Sequence, residues 1–273
     1  MALVDSGPGW LFCPADRPER FGKALSVADV VILDLEDGVA AKDREAARKA
    51  LVETPLDPAR TVVRVNPVSS PDHPLDVEAL RATSYHTVML AKTESADQVT
   101  ALAPFEVVVL VETPLGALAV QESAQAHNAV AVMWGAEDLF AATGGTANRW
   151  PDGTYRDVAR HVRSQSLLAA KAFGRLALDA VYLDIKDLDG LRAESDDAVA
   201  VGFDAKVAIH PTQVAVIRSA YAPTARQIDW ARAVLDRARR ERGVFQFDGQ
   251  MIDMPVLRRA ERIVALAPPP DSR

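Results

Sequence analysis

Eight times along this chain a short apolar run gives way to polar residues and then to a helix-like stretch. The runs cover residues 10–13, 30–35, 62–65, 87–91, 107–111, 129–134, 180–184 and 206–209. Most are rich in Val, Ile and Leu with little alternation, the pattern of strands buried on both faces of a parallel sheet. Segments between them carry apolar residues at helical spacing, as in Leu75-Val77-Leu80 and Leu167-Leu168-Lys171-Ala172. Parallel strands require a crossover element, so this repetition predicts an α/β fold. Eight repeats in 273 residues favour a closed TIM-type (β/α)8 barrel, whose usual size is about 250 residues. The alternative, an open doubly wound sheet, lacks its GxGxxG fingerprint: the first strand runs into Pro14-Ala15-Asp16.

The repeats end near residue 222, which defines a barrel over 1–222 and a C-terminal segment, 223–273, of the same domain. That segment reads as a charged helix over 224–242 with Gly243 as C-cap, an irregular stretch over 244–255, an arginine-rich amphipathic helix over 256–266, and a frayed Pro268-Pro269-Pro270 tail. An apolar share of 49% excludes a largely disordered chain. A formal charge of −7 argues against a general nucleic-acid or anionic-membrane partner. Cys13 is the only cysteine, and no apolar run reaches the roughly 20 residues that span a bilayer. Met1-Ala2-Leu3-Val4-Asp5 is not a secretory signal, so a cytoplasmic location is expected.

In a barrel of this kind chemistry gathers at the carboxyl ends of the strands. There the chain places Glu36-Asp37, Arg64-Val65-Asn66, Lys92-Thr93-Glu94, Glu112-Thr113, Glu137-Asp138 and His210-Pro211. Gathered carboxylates repel one another unless a cation intervenes, and Mg2+ is held by one or two carboxylates with waters and substrate oxygens. Glu112 and Asp138, 26 residues apart, fall on neighbouring strands and are the expected metal ligands. Glu36 and Asp37 then hold metal-bound waters or orient substrate. The plainer alternative makes these acids helix caps or solvated loop charges. Arg64 suits a substrate carboxylate, or else an internal ion pair with Glu36 or Asp34. Lys92 suits an anionic substrate; a Schiff base there needs a depressed pKa. His210 reads as structural, and no histidine pair supports zinc.

Together these motifs have a familiar order. Leu11-Phe12-Cys13-Pro14-Ala15-Asp16-Arg17-Pro18-Glu19-Arg20, Asp34-Leu35-Glu36-Asp37, Arg64-Val65-Asn66, Val111-Glu112-Thr113, Gly135-Ala136-Glu137-Asp138-Leu139, Ile209-His210-Pro211 and Asp248 to Pro255 follow one another over nearly the whole chain. The sequence resembles the citrate lyase beta-subunit-like branch of the HpcH/HpaI aldolase superfamily, with the malyl-CoA and citramalyl-CoA lyases. The resemblance implies a Mg2+-dependent carbon–carbon lyase that splits a 3-hydroxyacyl-CoA thioester reversibly into acetyl-CoA and a small oxo acid. By position Glu112 and Asp138 match the metal ligands and Arg64 the carboxylate grip. Arg17 and Lys23 match positions near the CoA pyrophosphate. Asp253 matches an acid/base aspartate on a C-terminal lid that reaches a neighbouring subunit, which implies a homotrimer; its plainer role is a helix N-cap. Ala15 stands where the family carries glycine, and residues 142–150 depart from its pattern. Three other readings compete: a subunit acting on citryl-acyl carrier protein, a CoA-independent oxo-acid aldolase, and a non-catalytic scaffold.

Overall fold

The computed structural model describes residues 6–241 and 243–267. The readings of residues 1–5, of Arg242 and of the 268–270 tail lie outside them. Two compact units divide between Arg218 and Ser219.

The first unit alternates strands and helices: β1 (Gly9–Pro14), α1 (Phe21–Val27), β2 (Val30–Asp34), α2 (Arg44–Glu53), β3 (Thr61–Val65), α3 (His73–Arg81), β4 (Thr87–Leu90) and α4 (Ala96–Thr100). It continues with β5 (Glu106–Val111), α5 (Pro114–Gln125), β6 (Ala129–Trp134), α6 (Ala136–Thr143), α7 (Asp157–Ala172), β7 (Leu176–Asp179), α8 (Leu188–Val201), β8 (Ala205–Ala208) and α9 (Pro211–Tyr221). Each strand pairs parallel with the next, and β1 pairs with β8, so the sheet closes into the expected eight-stranded barrel. Alternate strand residues meet inside it, among them Trp10, Ile32, Met89, Leu110, Met133 and Val207. Their neighbours Val31 and Leu33 are equally buried. Burial of both faces is why the strands read as unbroken apolar runs.

One strand is misplaced by the sequence pattern. The expected strand over 180–184 is corrected to β7, Leu176–Asp179, which pairs with β6 through Leu176–Leu178 and with β8 through Leu178 and Asp179. A charged residue inside an apolar run argues for a strand end. Here Asp179 is fully buried, and Lys206 and Arg163 neutralise it between strand and helix.

The second unit comprises the C-terminal end of α9 followed by α10 (Ala225–Ala238), β9 (Phe245–Phe247), β10 (Gln250–Ile252) and α11 (Met254–Ala265). Its core gathers Ala231, Val234, Ile252 and Ala260. Thr224 caps α10 in a reciprocal capping box with Gln227, and the helix ends with Arg239 as C-cap, short of Gly243. The stretch 244–255 is not irregular: β9 and β10 form an antiparallel hairpin. Asp248 and Gly249, at φ 47° and 76°, make its two-residue turn, a conformation that Asp-Gly adopts readily. The second helix begins at Met254, two residues earlier than its apolar periodicity suggests, because Asp253 caps it. No described helix is long and apolar enough to cross a membrane.

Candidate active site

Asp34, the last residue of β2, organises one side of the barrel mouth. Its carboxylate accepts the backbone N–H groups of Glu36 and Gly38, each at 2.9 Å, and so fixes the turn that carries Glu36 and Asp37. Gly38 is required by space: a Cβ there would lie 2.3 Å from Asp34 Oδ2. Arg64 stands opposite in the β2–β3 register and grips Asp34 with two hydrogen bonds, Nε to Oδ1 at 2.7 Å and Nη2 to Oδ2 at 2.6 Å. Its Nη1 reaches Glu36 Oε2 at 3.0 Å, and the guanidinium lies 4.7 Å from the Phe12 ring centre. The internal ion pair is therefore real. Among the described residues these contacts engage all three guanidinium nitrogens. Burial opposes the charge on Arg64, but the Asp34 carboxylate more than offsets it and raises the pKa.

Asn66, two residues on, donates to the Leu35 carbonyl at 2.9 Å and to the buried Asp76 of α3 at 2.7 Å. This holds the β2 and β3 ends together just before Glu36. Burial raises the pKa of Glu36 despite the nearby Arg64 and Lys92. For Asp37, burial works the same way but the Lys92 charge and hydrogen bond win, and the pKa is lowered.

Lys92 follows β4 at φ 49°, in the left-handed region that a side chain rarely adopts. From there its backbone N–H donates to Glu112 Oε1 at 2.8 Å. Its Nζ bonds to Glu36 Oε1 and lies 3.3 Å from Asp37 Oδ2 and 3.5 Å from Asp138 Oδ1. Burial disfavours the ammonium, yet the hydrogen bond to Glu36 and the surrounding carboxylates raise its pKa above the lysine range. A Schiff-base role needs the opposite shift.

Glu112 follows β5 and is 3% exposed. Burial, with Asp138 and Glu36 adding repulsion, pushes its carboxyl up to about 8 against the pull of Arg64 and Lys92. Gly135 gives it room, since a Cβ at that position would sit 2.9 Å from Glu112 Oε2. Asp138 lies in the first turn of α6, at the rim. Glu36, Asp37, Arg64, Glu112 and Asp138 thus converge as their places at strand ends imply, with Lys92 among them.

Among the described residues no group of three or more His, Cys, Asp or Glu side chains is arranged to hold a metal ion. A two-carboxylate site still suits Mg2+, which commonly keeps several waters. Glu112 supplies what such an ion needs: a buried carboxylate whose ionised form burial disfavours and whose only hydrogen-bond donor among the described residues is the Lys92 amide.

The other candidate residues stand apart. Arg17, between β1 and α1, is exposed and 3.6 Å from Asp16, and Lys23 is exposed on α1. Asp253 belongs to the second unit, where its side chain accepts the Val256 N–H at 3.3 Å as the N-cap of α11. Glu94 accepts from Thr113, the N-cap of α5, and His210 Nδ1 bonds Thr212. The segment at 142–150 is well anchored: Asn148 donates to Glu137 at 2.7 Å, and Arg149 pairs with Glu194 at 2.8 Å and stacks 3.6 Å over Tyr155.

A profile of the HpcH/HpaI aldolase/citrate lyase family matches residues 10–211, essentially the whole barrel. The chain belongs to this family. It is 60% identical to the citrate lyase subunit beta-like protein of Mycobacterium tuberculosis (strain ATCC 25618 / H37Rv) over 267 residues, 98% of each chain. It is 33% identical to the mitochondrial citramalyl-CoA lyase of Homo sapiens over 291 residues, covering 94% of this chain and 84% of that one. The crystal structure of protein CitE from Mycobacterium tuberculosis in complex with magnesium, acetoacetate and coenzyme A is similar at TM-score 0.94 and 60% identity, over 96% of this chain and 98% of that one. The same protein in complex with magnesium and pyruvate gives TM-score 0.85 at 56% identity, over 96% and 99% of the two chains.

Sequence reasoning gave no role to Gly38, Gly135 or Asp76. The glycines matter only through the carboxylates beside them, a relation no spacing rule exposes. Asp76 lies in the first turn of α3, and its burial against Asn66 and Arg48 arises only in the closed fold.

Proposed function

We propose that this chain is a Mg2+-dependent carbon–carbon lyase that cleaves a 3-hydroxyacyl-CoA thioester of malyl, citramalyl or citryl type into acetyl-CoA and an oxo acid. The observation that carries the reading is the buried Glu112 beside Asp138, facing Arg64 and Lys92 at one barrel mouth. The magnesium, acetoacetate and coenzyme A bound by the 60% identical relative support the ligand class.

Glu112 and Asp138 would hold the ion, which when bound supplies Lewis acidity to the substrate's hydroxyl and carboxylate oxygens. Arg64 orients the carboxylate of the oxo-acid half, and Asp34 keeps the guanidinium in place. Glu36, with its raised pKa, accepts the hydroxyl proton as the carbonyl forms. The carbon–carbon bond breaks, its electron pair passes to the thioester enolate, and Asp253 protonates the enolate carbon. Arg17 and Lys23 contact the CoA phosphates from the first strand–helix connection. Asp253 acts across a subunit boundary in a homotrimer, which light scattering after size exclusion tests directly.

The deciding assay follows cleavage of a panel of 3-hydroxyacyl-CoA esters by mass spectrometry, with Mg2+ and with EDTA. Metal-dependent acetyl-CoA release from one ester supports the reading and names the oxo acid. Cleavage of citryl-acyl carrier protein alone, or of free hydroxy acids alone, replaces it.

Asp253 has two roles that substitution separates. Asparagine caps a helix as well as aspartate but cannot exchange a proton, whereas alanine loses both. Asp253→Asn is expected to keep the melting temperature and lower kcat at least about a hundredfold, the scale of general acid–base catalysis. Asp253→Ala should in addition lose about 1 kcal/mol of stability. Full turnover in Asp253→Asn would leave Asp253 a cap alone.

A further inference from the structure

Five carboxylates, those of Asp34, Glu36, Asp37, Glu112 and Asp138, meet two side-chain cations at this mouth. Arg64 is committed to Asp34 and Glu36. Lys92 is the second cation, on the side where Glu112 and Asp138 stand. One residue touches four of the five acids: Glu112 through its amide, and Glu36, Asp37 and Asp138 through Nζ. Its left-handed backbone carries it there, an uncommon conformation of the kind that persists where surrounding contacts enforce it.

We propose that Lys92 is a resident counter-ion of the carboxylate cluster, which balances Glu36, Asp37 and Asp138 in the metal-free protein and weakens the Glu112–Asp138 pair as a divalent-cation site. The proposal rests on reading that pair as the metal ligands. An ammonium 3.5 Å from Asp138 Oδ1 draws on the same negative charge that attracts a second cation. In a partly buried site the repulsion between ammonium and dication is poorly screened. Lys92 thus trades affinity for a metal-free state that holds its shape.

The test is calorimetric titration of Mg2+ into EDTA-treated full-length protein: wild type, Lys92→Met, Lys92→Arg and Glu112→Gln. Lys92→Met is expected to bind Mg2+ about tenfold more tightly than wild type, on the scale of removing one nearby positive charge. Its metal-free melting temperature should fall and its Mg2+-induced rise should grow. Lys92→Arg, which keeps the charge, should bind much as wild type does. Unchanged or weaker Mg2+ binding by Lys92→Met, with normal wild-type binding, overturns the counter-ion role alone. No wild-type binding, or none that Glu112→Gln reduces, overturns the metal-ligand reading and the proposal with it.

A measurement on the wild type covers a variant that fails to fold. With 15N-labelled lysine, Mg2+ should shift the Lys92 Nζ resonance and leave that of Lys206, sequestered on Asp179 and Glu194, unmoved. A Lys92 resonance that ignores saturating Mg2+ overturns the proposal.

Discussion

Glu112→Ala and Asp138→Ala are each expected to lower Mg2+-dependent cleavage at least about a thousandfold. Lewis-acid stabilisation of the developing carbonyl is worth several kcal/mol, and each 1.36 kcal/mol is a factor of ten. The two positions differ in what else they change. Glu112 is almost wholly buried and burial raises its pKa, so its ionised form costs folding energy. Glu112→Gln keeps the shape and removes that charge, and the metal-free protein should be at least as stable as wild type. Asp138 lies at the rim, and Asp138→Asn should shift stability by no more than about 0.5 kcal/mol. Loss of turnover in these stable variants, together with loss of the Mg2+-induced rise in melting temperature, separates a missing ligand from a damaged fold. Retained turnover in both alanine variants, with EDTA without effect on wild type, would sink the metal assignment.

What the sequence exposes and what it hides follows from where the physics acts. Strands buried on both faces must be apolar throughout, so β2, β5 and β6 stand out from their residues alone. Polar residues that interrupt such runs at their carboxyl ends mark the mouth, and Glu36, Arg64, Lys92, Glu112 and Asp138 all lie there. Asp179 ends β7 in the middle of an apolar run and is buried away from solvent, a placement no spacing shows because its partners Arg163 and Lys206 lie 16 and 27 residues away and only the closed fold joins them. The hairpin of β9 and β10 escaped notice for another reason: each strand has three residues, too few for a period to register. The Asp248-Gly249 turn was its one local signal. Spacing also says nothing about backbone handedness at Lys92, and that handedness makes a lysine at a strand end the hub of the acid cluster.

The largest expected effect on stability lies away from the mouth, at Lys206 and Asp179. Both side chains are fully buried. Lys206 Nζ reaches Asp179 Oδ2 at 3.0 Å, Glu194 Oε1 at 2.8 Å and the Ala180 carbonyl at 2.7 Å. Asp179 also accepts from Trp134 at 2.7 Å and from Arg163 Nε at 2.9 Å. Removing one member of such a pair leaves a buried charge without its partner, which costs about 3–5 kcal/mol. Lys206→Met should therefore lower the melting temperature by roughly 10 °C, at about 2–4 °C per kcal/mol for a chain of this size.

The pH dependence gives a second readout. Burial raises the Asp179 pKa, but Lys206 and Arg163 outweigh it and hold the carboxyl at about 2 in the folded protein, below its ordinary 3.8. A lowered pKa contributes stability that is complete above the unfolded value and fades as pH falls from there toward 2. Without Lys206 the folded pKa of Asp179 rises, so acid unfolding of Lys206→Met should begin at higher pH than in wild type. The double variant Lys206→Met with Asp179→Leu removes both charges and should recover part of the loss, though among the described residues Arg163 then keeps only Asp197 as an acidic partner. Denaturant unfolding of the four proteins across pH 2–7 gives the coupling energy directly. Additive losses, or a Lys206→Met variant within about 1 kcal/mol of wild type, would mean that Arg163 and Trp134 hold the buried Asp179 carboxylate without help from Lys206.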